Sequence, residues 1–229
     1  MAKIQNILIC IVISCLFIAC KDEPSSDGDF LYNFVTYDGY ADGANQFSFQ
    51  AKDDSPLVTL RTSQNLTLKW NKGKRTLINY SIIDKKDGKI QEIRIKDITN
   101  VIFDSLRLAN KENIGIGLNT PLQLKSIWRT GNFINIDCNL LYTDKARQFM
   151  LVMDESTWNS EVVDVYVLQN LFGAQTYAWR RAFASFFVGN IWYLPTCKTI
   201  RVHLNDEKYP AKYYDFSKKE INNKNNKYI

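Results

Sequence analysis

The chain has 229 residues and a formal charge of +5, from 29 basic and 24 acidic residues. The basic residues are spread along the sequence and form no stripe interleaved with aromatics, so no nucleic-acid partner is predicted. The sequence contains one histidine and no Cys-x-x-Cys pair. That inventory cannot supply the common zinc ligand sets, and we predict neither a metal nor a cofactor.

The first residues have the layout of a bacterial lipoprotein signal peptide. Lys3 gives a positive start, and Ile7–Ile18 is a short apolar run. A transmembrane helix needs about 20 apolar residues, so this run fits a signal peptide better than an uncleaved membrane anchor. The small residue Ala19 precedes Cys20, and we predict cleavage after residue 19 and lipidation of Cys20. Cys15 is the rival acceptor, but it would leave a greasy mature N-terminus.

A lipidated Cys20 predicts a protein anchored in the outer membrane, with residues 20–29 as a polar tether. Lys21-Asp22-Glu23 resembles the acid-rich surface-export signal of some bacterial lipoproteins, which implies display on the cell surface. An ordinary polar linker, with the protein on the inner leaflet of the outer membrane, is the alternative.

Alternating apolar residues predict β-strands through the first half of the mature chain. Ile78, Tyr80 and Ile82 alternate with polar residues, and Asp84–Gly88 separates them from a second alternation as a hairpin turn. The polar run at residues 110–113 ends this unit. The other strands predicted here are Phe30–Tyr37, Gln46–Ala51, Leu57–Leu60, Leu66–Trp70, the run containing Ile93 and Ile95, and Val101–Phe103.

A second unit of strands begins near residue 119. About seven short strands with turns between them favour a β-sandwich. Tyr177–Phe187 is ambiguous, because its apolar residues also fit the i, i+3, i+4 spacing of a helix. Residues 217–229 are polar without periodicity, and we predict a disordered tail. The strands predicted here are Leu122–Trp128, 134–140, 149–153, 163–167, 200–204 and Tyr209–Phe216.

Several segments resemble the NigD-like lipoprotein family. Asn71–Asp84 is similar to the family's glycine-and-basic turn and the strand that follows it, and the likeness continues through Ile95–Ile98. Ile127–Ile136 resembles the family's W-x-x-G-x-x-L-N-I segment, and Ser185-Phe186 matches a later S-F strand. Where many members carry Leu-Arg-His-Asn, this chain has Val167–Asn170, so nothing that rests on that histidine carries over.

The resemblance implies an all-β fold, with an OB-like barrel followed by an immunoglobulin-like β-sandwich. We place the barrel at residues 30–113 and the sandwich at residues 114–216. The resemblance also favours a strand over residues 182–188, against the helix that spacing alone allows.

Two modification sites follow from resemblances. Cys138 and Cys197 would lie where the B and F strands of immunoglobulin-like domains can be bridged, which implies a disulfide across the second domain. Two separate buried thiols are the alternative. Asp104-Ser105-Leu106 resembles an O-glycosylation sequon of exported bacterial proteins, which implies Ser105 as an acceptor.

Candidate catalytic residues are few. His203 alternates with Val202 and Leu204, which places it on the outward face of a strand as a surface polar residue. The adjacent acids Asp53/Asp54 and Asp154/Glu155 are of the type that glycoside hydrolysis uses, but adjacency favours solvated loops over a facing pair. The loop Asp38–Asn45 offers oxygen ligands for calcium, although its spacing matches no EF-hand and a hairpin loop is the favoured interpretation.

Aromatic residues cluster near the first strand and in the second unit, and OB-like barrels use one face to bind oligosaccharides. We therefore predict a non-catalytic binding module with a glycan or protein ligand. A structural or assembly role in an envelope complex and a carboxylate-based glycosidase are the alternatives. The aromatics either form a binding platform or fill cores; they are Tyr32, Tyr37, Tyr40, Trp179, Trp192 and Tyr193.

Overall fold

The computed structural model describes residues 30–218, apart from residues 67, 87–88, 111, 113, 116–119 and 210–212. The predicted signal peptide, the lipidation site Cys20, the tether and positions 219–229 of the predicted tail lie outside the described residues. Within the described part, no helix has the length and apolar character that crossing a membrane requires.

The first five strands close into a barrel in the order β1-β2-β3-β5-β4, with β4 returning to β1. All neighbours are antiparallel except β3 and β5, which pair in parallel. A five-stranded closed barrel with this order is the OB-like fold that the family resemblance implies. The strands are β1 (Leu31–Ala41), β2 (Ala44–Gln50), β3 (Leu57–Thr62), β4 (Arg75–Lys86) and β5 (Ile90–Asn100).

Alternate residues of these strands fill the barrel, as a period of two requires. The hairpin between β1 and β2 turns on Asp42 and Gly43, whose φ angles are 51° and 75°, a pair typical of a two-residue type I′ turn. The strand predicted at Leu66–Trp70 is wrong. The described residues there form a loop whose apolar side chains pack against the barrel core.

The remaining strands form two sheets, ordered β14-β13-β11-β10-β7 and β6-β12-β9-β8. A core of buried side chains from both sheets fills the space between them, which makes this unit a β-sandwich. The strands are β6 (Ile102–Ser105), β7 (Arg107–Ala109), β8 (Gln123–Thr130), β9 (Phe133–Thr143), β10 (Gln148–Asp154), β11 (Val162–Asn170), β12 (Thr176–Phe187), β13 (Thr199–His203) and β14 (Tyr213–Ser217).

The change from barrel to sandwich comes earlier than the sequence predicts. β6 pairs with β12 and β7 pairs with β10, both in parallel. Residues 102–109 therefore complete the sandwich sheets, although the prediction assigned them to the barrel. β5 ends at Asn100 and β6 begins at Ile102, so pairing changes at Val101 rather than between residues 113 and 114.

The ambiguous segment is the strand β12, as the resemblance implies. Ala184 and Phe186 face the sandwich core, while Ser185 bonds to a barrel residue on the opposite face. Because apolar and buried residues lie on both faces of its second half, the period of two is hidden and helical spacing is mimicked. A short helix, Gly189–Trp192, follows the strand.

Two further expectations are corrected. Cys138 and Cys197 are free and buried, and the predicted disulfide is not formed. Cys138 lies in the middle of β9, whereas Cys197 lies in the turn before β13, at the end of the opposite sheet where β11 begins. The predicted tail also starts too early, because Ser217 pairs with Thr199 and the main chain of Lys218 donates to the carbonyl of Lys198.

Candidate functional site

Arg75 joins the barrel to the sandwich from the first position of β4, where it is 2% exposed. Its guanidinium donates to Oδ1 of Asn135 on β9 and to Oγ of Ser185 on β12, each at 3.1 Å. It also donates to Oγ1 of Thr36 on β1 at 3.1 Å. The ring of Phe133 lies 4.1 Å from the guanidinium carbon. Strands of both halves therefore share one buried cation.

None of these contacts is a carboxylate. Burial lowers the pKa of Arg75, because a charged guanidinium loses its hydration inside the protein. Neutral oxygens and an aromatic face stabilise the charge instead. Arg75, Asn135 and Ser185 each belong to a segment that resembles the NigD-like family. The three segments that carry the resemblance therefore contact one another at Arg75, where the barrel joins the sandwich.

A second buried arginine makes the same kind of connection. Arg129 on β8 forms two bonds to the carboxylate of Asp54, at 3.0 and 2.7 Å, and its guanidinium lies 3.8 Å above the ring of Trp192. Asp54 belongs to the loop between β2 and β3. Asp53 belongs to the same loop, and its carbonyl accepts a hydrogen bond from the main-chain N–H of Gly131. The loop is therefore fixed to the sandwich.

A cleft opens where the barrel meets the sandwich, and we call it the seam cleft. Its volume is about 680 Å³, within the range of about 300–1,000 Å³ that small-molecule sites occupy. The barrel and the sandwich both line it. The lining residues are Tyr32, Asn33, Phe34, Gln50, Ala51, Leu77, Thr99, Trp128, Thr130, Asp137, Arg181 and Phe183.

Three aromatic rings form the apolar part of the seam cleft. The edge-to-face pair of Phe34 and Trp128 has ring centroids 5.2 Å apart, and that of Phe34 and Phe183 has centroids 6.0 Å apart. Phe34 comes from the barrel, and its two partners come from β8 and β12. The packing holds rings of both halves in fixed positions, so the apolar wall is already in place.

An ion pair forms the polar part. Arg181 donates to both carboxylate oxygens of Asp137, at 3.0 and 2.7 Å. The Arg181 side chain is 57% exposed, whereas the Asp137 side chain is 12% exposed. Hydrogen bonding to Asp137 raises the pKa of Arg181. Opposite lies the exposed ring of Tyr32, whose hydroxyl accepts a bond from Asn79 at 2.8 Å.

The carboxylates of the seam cleft do not form the pair that a glycosidase needs. Asp137 is the single acid among its described lining residues, whereas glycoside hydrolysis uses two carboxyl groups about 5–10 Å apart. The adjacent acids considered above hold other contacts. Asp54 binds Arg129, and Asp154 accepts a main-chain N–H of the 3₁₀ turn that follows it, at 3.0 Å.

His203 lies on the outward side of β13, as predicted, and outside the seam cleft. Its Nε2 is 2.6 Å from Oδ1 of Asp164 on β11. The ring stacks on Tyr166 with centroids 4.5 Å apart, and Tyr213 lies on the other side at 6.0 Å. No serine, threonine or cysteine is among these contacts in the described region. These contacts favour a surface histidine that packs between two tyrosine rings.

The aromatic platform predicted from sequence is only partly assembled. Tyr32, Tyr40 and Tyr193 are exposed, whereas Tyr37 and Trp192 are buried. Of the six, Tyr32 lines the seam cleft. The outer face of β2 and β3, where OB folds bind oligosaccharides, carries no aromatic residue. Its described outward residues are Gln46, Ser48, Gln50, Leu57, Thr59 and Arg61.

The segment Asp38–Asn45 is a β-hairpin, as favoured from sequence. The Asn45 carboxamide oxygen accepts a bond from the Tyr37 hydroxyl at 3.0 Å, within the barrel. The described residues contain no group of three acidic, histidine or cysteine side chains that could hold a metal ion.

Ser105 ends β6 in an exposed position, and the side chain of the preceding Asp104 pairs with Arg107. Exposure is what a modifying enzyme requires, so the O-glycosylation prediction stands. We expect the protein from its native host to carry glycan mass that Ser105→Ala removes, as read from intact mass spectrometry. Equal masses, after allowance for one oxygen atom, would contradict it.

Sequence reasoning missed the residues that matter most here. Arg75, Arg129 and Arg181 read as ordinary surface cations within strands. Asp137 on β9 pairs with Phe183 on β12, two residues from Arg181. No spacing in the sequence reveals that Asp137 and Arg181 lie close together. The usable signal was the family motif, since Arg75 and Asn135 lie inside the segments that carry it.

Comparisons with known proteins agree with this architecture. The model of the NigD-like N-terminal OB domain matches residues 40–101. No curated protein matches the chain. The fold is similar to that of a protein of unknown function, DUF1344, from Bacteroides vulgatus, with a TM-score of 0.69, 20% identity, and coverage of 85% of this chain and 93% of that one.

Two further structures are similar at lower identity. A NigD-like immunity protein from Bacteroides caccae has a TM-score of 0.57 and 18% identity, covering 82% of this chain and 97% of its own. A candidate lipoprotein from Bacteroides fragilis has a TM-score of 0.60 and 13% identity, covering 83% and 99%. At these identities the structures show the fold alone. The OB-domain match, which covers the barrel up to residue 101, confirms the resemblance to the NigD-like family.

Proposed function

We propose that the protein is a lipid-anchored binding protein of the bacterial cell envelope and that its ligand occupies the seam cleft. The cleft itself carries the proposal. It combines an aromatic wall of Phe34, Trp128 and Phe183 with a half-exposed arginine that Asp137 holds in place. A concave site with an apolar wall and a few convergent polar groups is the usual form of a ligand site.

The lining favours a ligand with a flat apolar surface and several hydroxyl or amide groups. The rings offer van der Waals contact, while the Arg181–Asp137 pair and Asn33 offer donors and acceptors on one rim. Sugar rings and peptide groups both have this chemistry, so a glycan or a protein segment fits. The location rests on the lipoprotein signal ending at Cys20, and the similar fold of a candidate lipoprotein supports it.

The polar run after Cys20 is proposed to direct the protein to the cell surface. We expect protease added to intact cells to degrade the wild-type protein. Replacing Lys21, Asp22 and Glu23 by alanine is expected to leave a lipidated, folded protein that intact cells protect from protease. Protection of the wild-type protein on intact cells would contradict surface display.

Binding in the seam cleft is tested with a soluble fragment comprising residues 24–229. We expect this fragment to retain a ligand on a glycan array or in a pull-down from envelope extract. Arg181→Ala is expected to weaken retention by more than about tenfold, because the ligand loses a charged hydrogen-bond donor. Tyr32→Ala is expected to weaken it as well.

Matched controls are available on the surface of the same protein. Arg201 forms a bidentate pair with Asp215 on β13 and β14 that resembles the Arg181 pair but lies outside the cleft. Tyr193 is as exposed as Tyr32. Arg201→Ala and Tyr193→Ala are expected to bind like wild type. Equal effects of Arg181→Ala and Arg201→Ala would contradict ligand binding in the seam cleft. A stoichiometric protein complex that Arg181→Ala leaves intact would favour the assembly role.

A further inference from the structure

β12 has one edge without a neighbouring strand over most of its length. β9 pairs with it from Thr176 to Phe187. On the other edge, β6 pairs only with Ala184–Phe187. Within the described residues, the main chain from residue 176 to residue 183 therefore presents unpaired N–H and C=O groups. Such an edge is a template to which an extended segment of another chain can add.

The unpaired stretch is accessible. Most of its residues are exposed, including Tyr177, Arg180 and Arg181. Ala178 is exposed too, and its methyl group is too small to cover the main chain on either side. The register shift between Thr176 and Trp179 bends the strand near its start. The straight part available to a partner is therefore Trp179 to Phe183.

The side chains beside this edge carry positive charge. The guanidinium of Arg180 lies 3.8 Å from the ring of Tyr142, and no carboxylate pairs with it in the described part of the chain. The loop between β9 and β10 lies at the same end of the strand, because Thr143 pairs with Thr176. Lys145 and Arg147 outnumber the single acid Asp144 in that loop.

We propose that the free edge of β12 binds an extended acidic segment of another protein by strand addition. Main-chain hydrogen bonds hold the added strand, and the carboxylates on one of its faces pair with Arg180. The site differs from the seam cleft. The cleft uses the side chains of Arg181 and Phe183, whereas strand addition uses the main chain, so either proposal can fail without the other.

The probe is a blocked octapeptide that alternates Glu and Val, added to the fragment of residues 24–229. Hydrogen–deuterium exchange is expected to show slower exchange of amides within 176–183 when the peptide is present. The same peptide with Lys in place of Glu, and one with alternate amides N-methylated, are expected to give no protection. The first control tests the charge, and the second tests the main-chain bonds.

Arg180→Glu is expected to weaken binding of the acidic peptide by about tenfold and to favour the lysine peptide. Arg201→Glu, on β13 of the other sheet of the sandwich, is the control and is expected to leave binding unchanged. No protection of residues 176–183 at about 1 mM acidic peptide overturns the proposal. Protection that grows with protein concentration alone, together with a dimer in sedimentation, assigns the edge to a second copy and overturns it as well.

Discussion

Arg75→Ala is expected to destabilise the protein by about 3–5 kcal/mol, because it removes hydrogen bonds from a charged donor and leaves a cavity in place of a large buried side chain. The substitution removes two hydrogen bonds that join barrel to sandwich and one to Thr36 within the barrel, and it leaves an empty space beside Phe133. Asn135 and Ser185 keep the bond between them but lose a charged donor. Urea unfolding followed by tryptophan fluorescence measures the change.

Arg61→Ala is the matched control for this substitution. Arg61 also lies in the barrel, but it is partly exposed and its carboxylate partner Glu92 is 3.6 Å away. We expect a loss of about 1 kcal/mol or less. Arg75→Lys keeps the charge and loses the planar fork, so its unfolding midpoint is expected to lie between those of wild type and Arg75→Ala. Equal midpoints for the two alanine variants would contradict the role of Arg75.

Cys138 is expected to make the protein less stable in alkali. Burial, with help from Asp137, raises the pKa of this thiol from 9.0 to about 12. The unfolded thiol loses its proton above pH 9, while the folded one keeps it. Ionisation therefore stabilises the unfolded state, so this contribution is fully present below pH 9 and is lost as pH rises toward 12.

The size of the effect follows from about 1.4 kcal/mol per pH unit. Relative to Cys138→Ala, the wild-type protein is expected to lose about 2 kcal/mol between pH 9 and pH 11 in urea unfolding. The comparison cancels every other titrating group and the constant cost of the cavity. Parallel curves for the two proteins would contradict the prediction.

Titration in denaturant without reductant is expected to find both thiols of residues 24–229, and finding none would restore the disulfide.

Strands with apolar residues on one face and polar residues on the other were predictable from the sequence. The alternations at Ile78–Ile82 and Ile134–Leu140 identify β4 and β9, because each inward residue is apolar and each neighbour is not. Leu66, Leu68 and Trp70 show the limit of this signal. They alternate as in a strand and pack against the barrel core, but they belong to a loop. The main-chain hydrogen bonds of Leu66 and Leu68 run within that loop rather than to a neighbouring strand.

Segments whose two faces are both covered could not be assigned from pattern alone. β12 packs on the sandwich core with one face and bonds to the barrel with the other, so its periodicity is lost. The boundary between barrel and sandwich was also hidden from the pattern. Residues 102–109 pair with strands that lie about 45 to 80 positions later in the chain. Only the tertiary pairing reveals which sheet they complete.

The seam was the least predictable part. Arg75, Asn135 and Ser185 lie on β4, β9 and β12, and each is unremarkable in its own strand. The family motif marked these segments but gave no reason for them. The seam cleft inherits the difficulty, because its wall is shared between residues near the two ends of the chain.

The single residue between β5 and β6 limits how the seam cleft can recognise a ligand. Val101 is 5% exposed and packs with Phe34 and Leu77, so the two halves have no slack segment about which to hinge. The cleft is preorganised, and a ligand meets it at its final width. Binding then avoids the entropic cost of closing two domains. The cleft would then discriminate between ligands by their shape, without a closing step. Diffusion and orientation would set the rate of association.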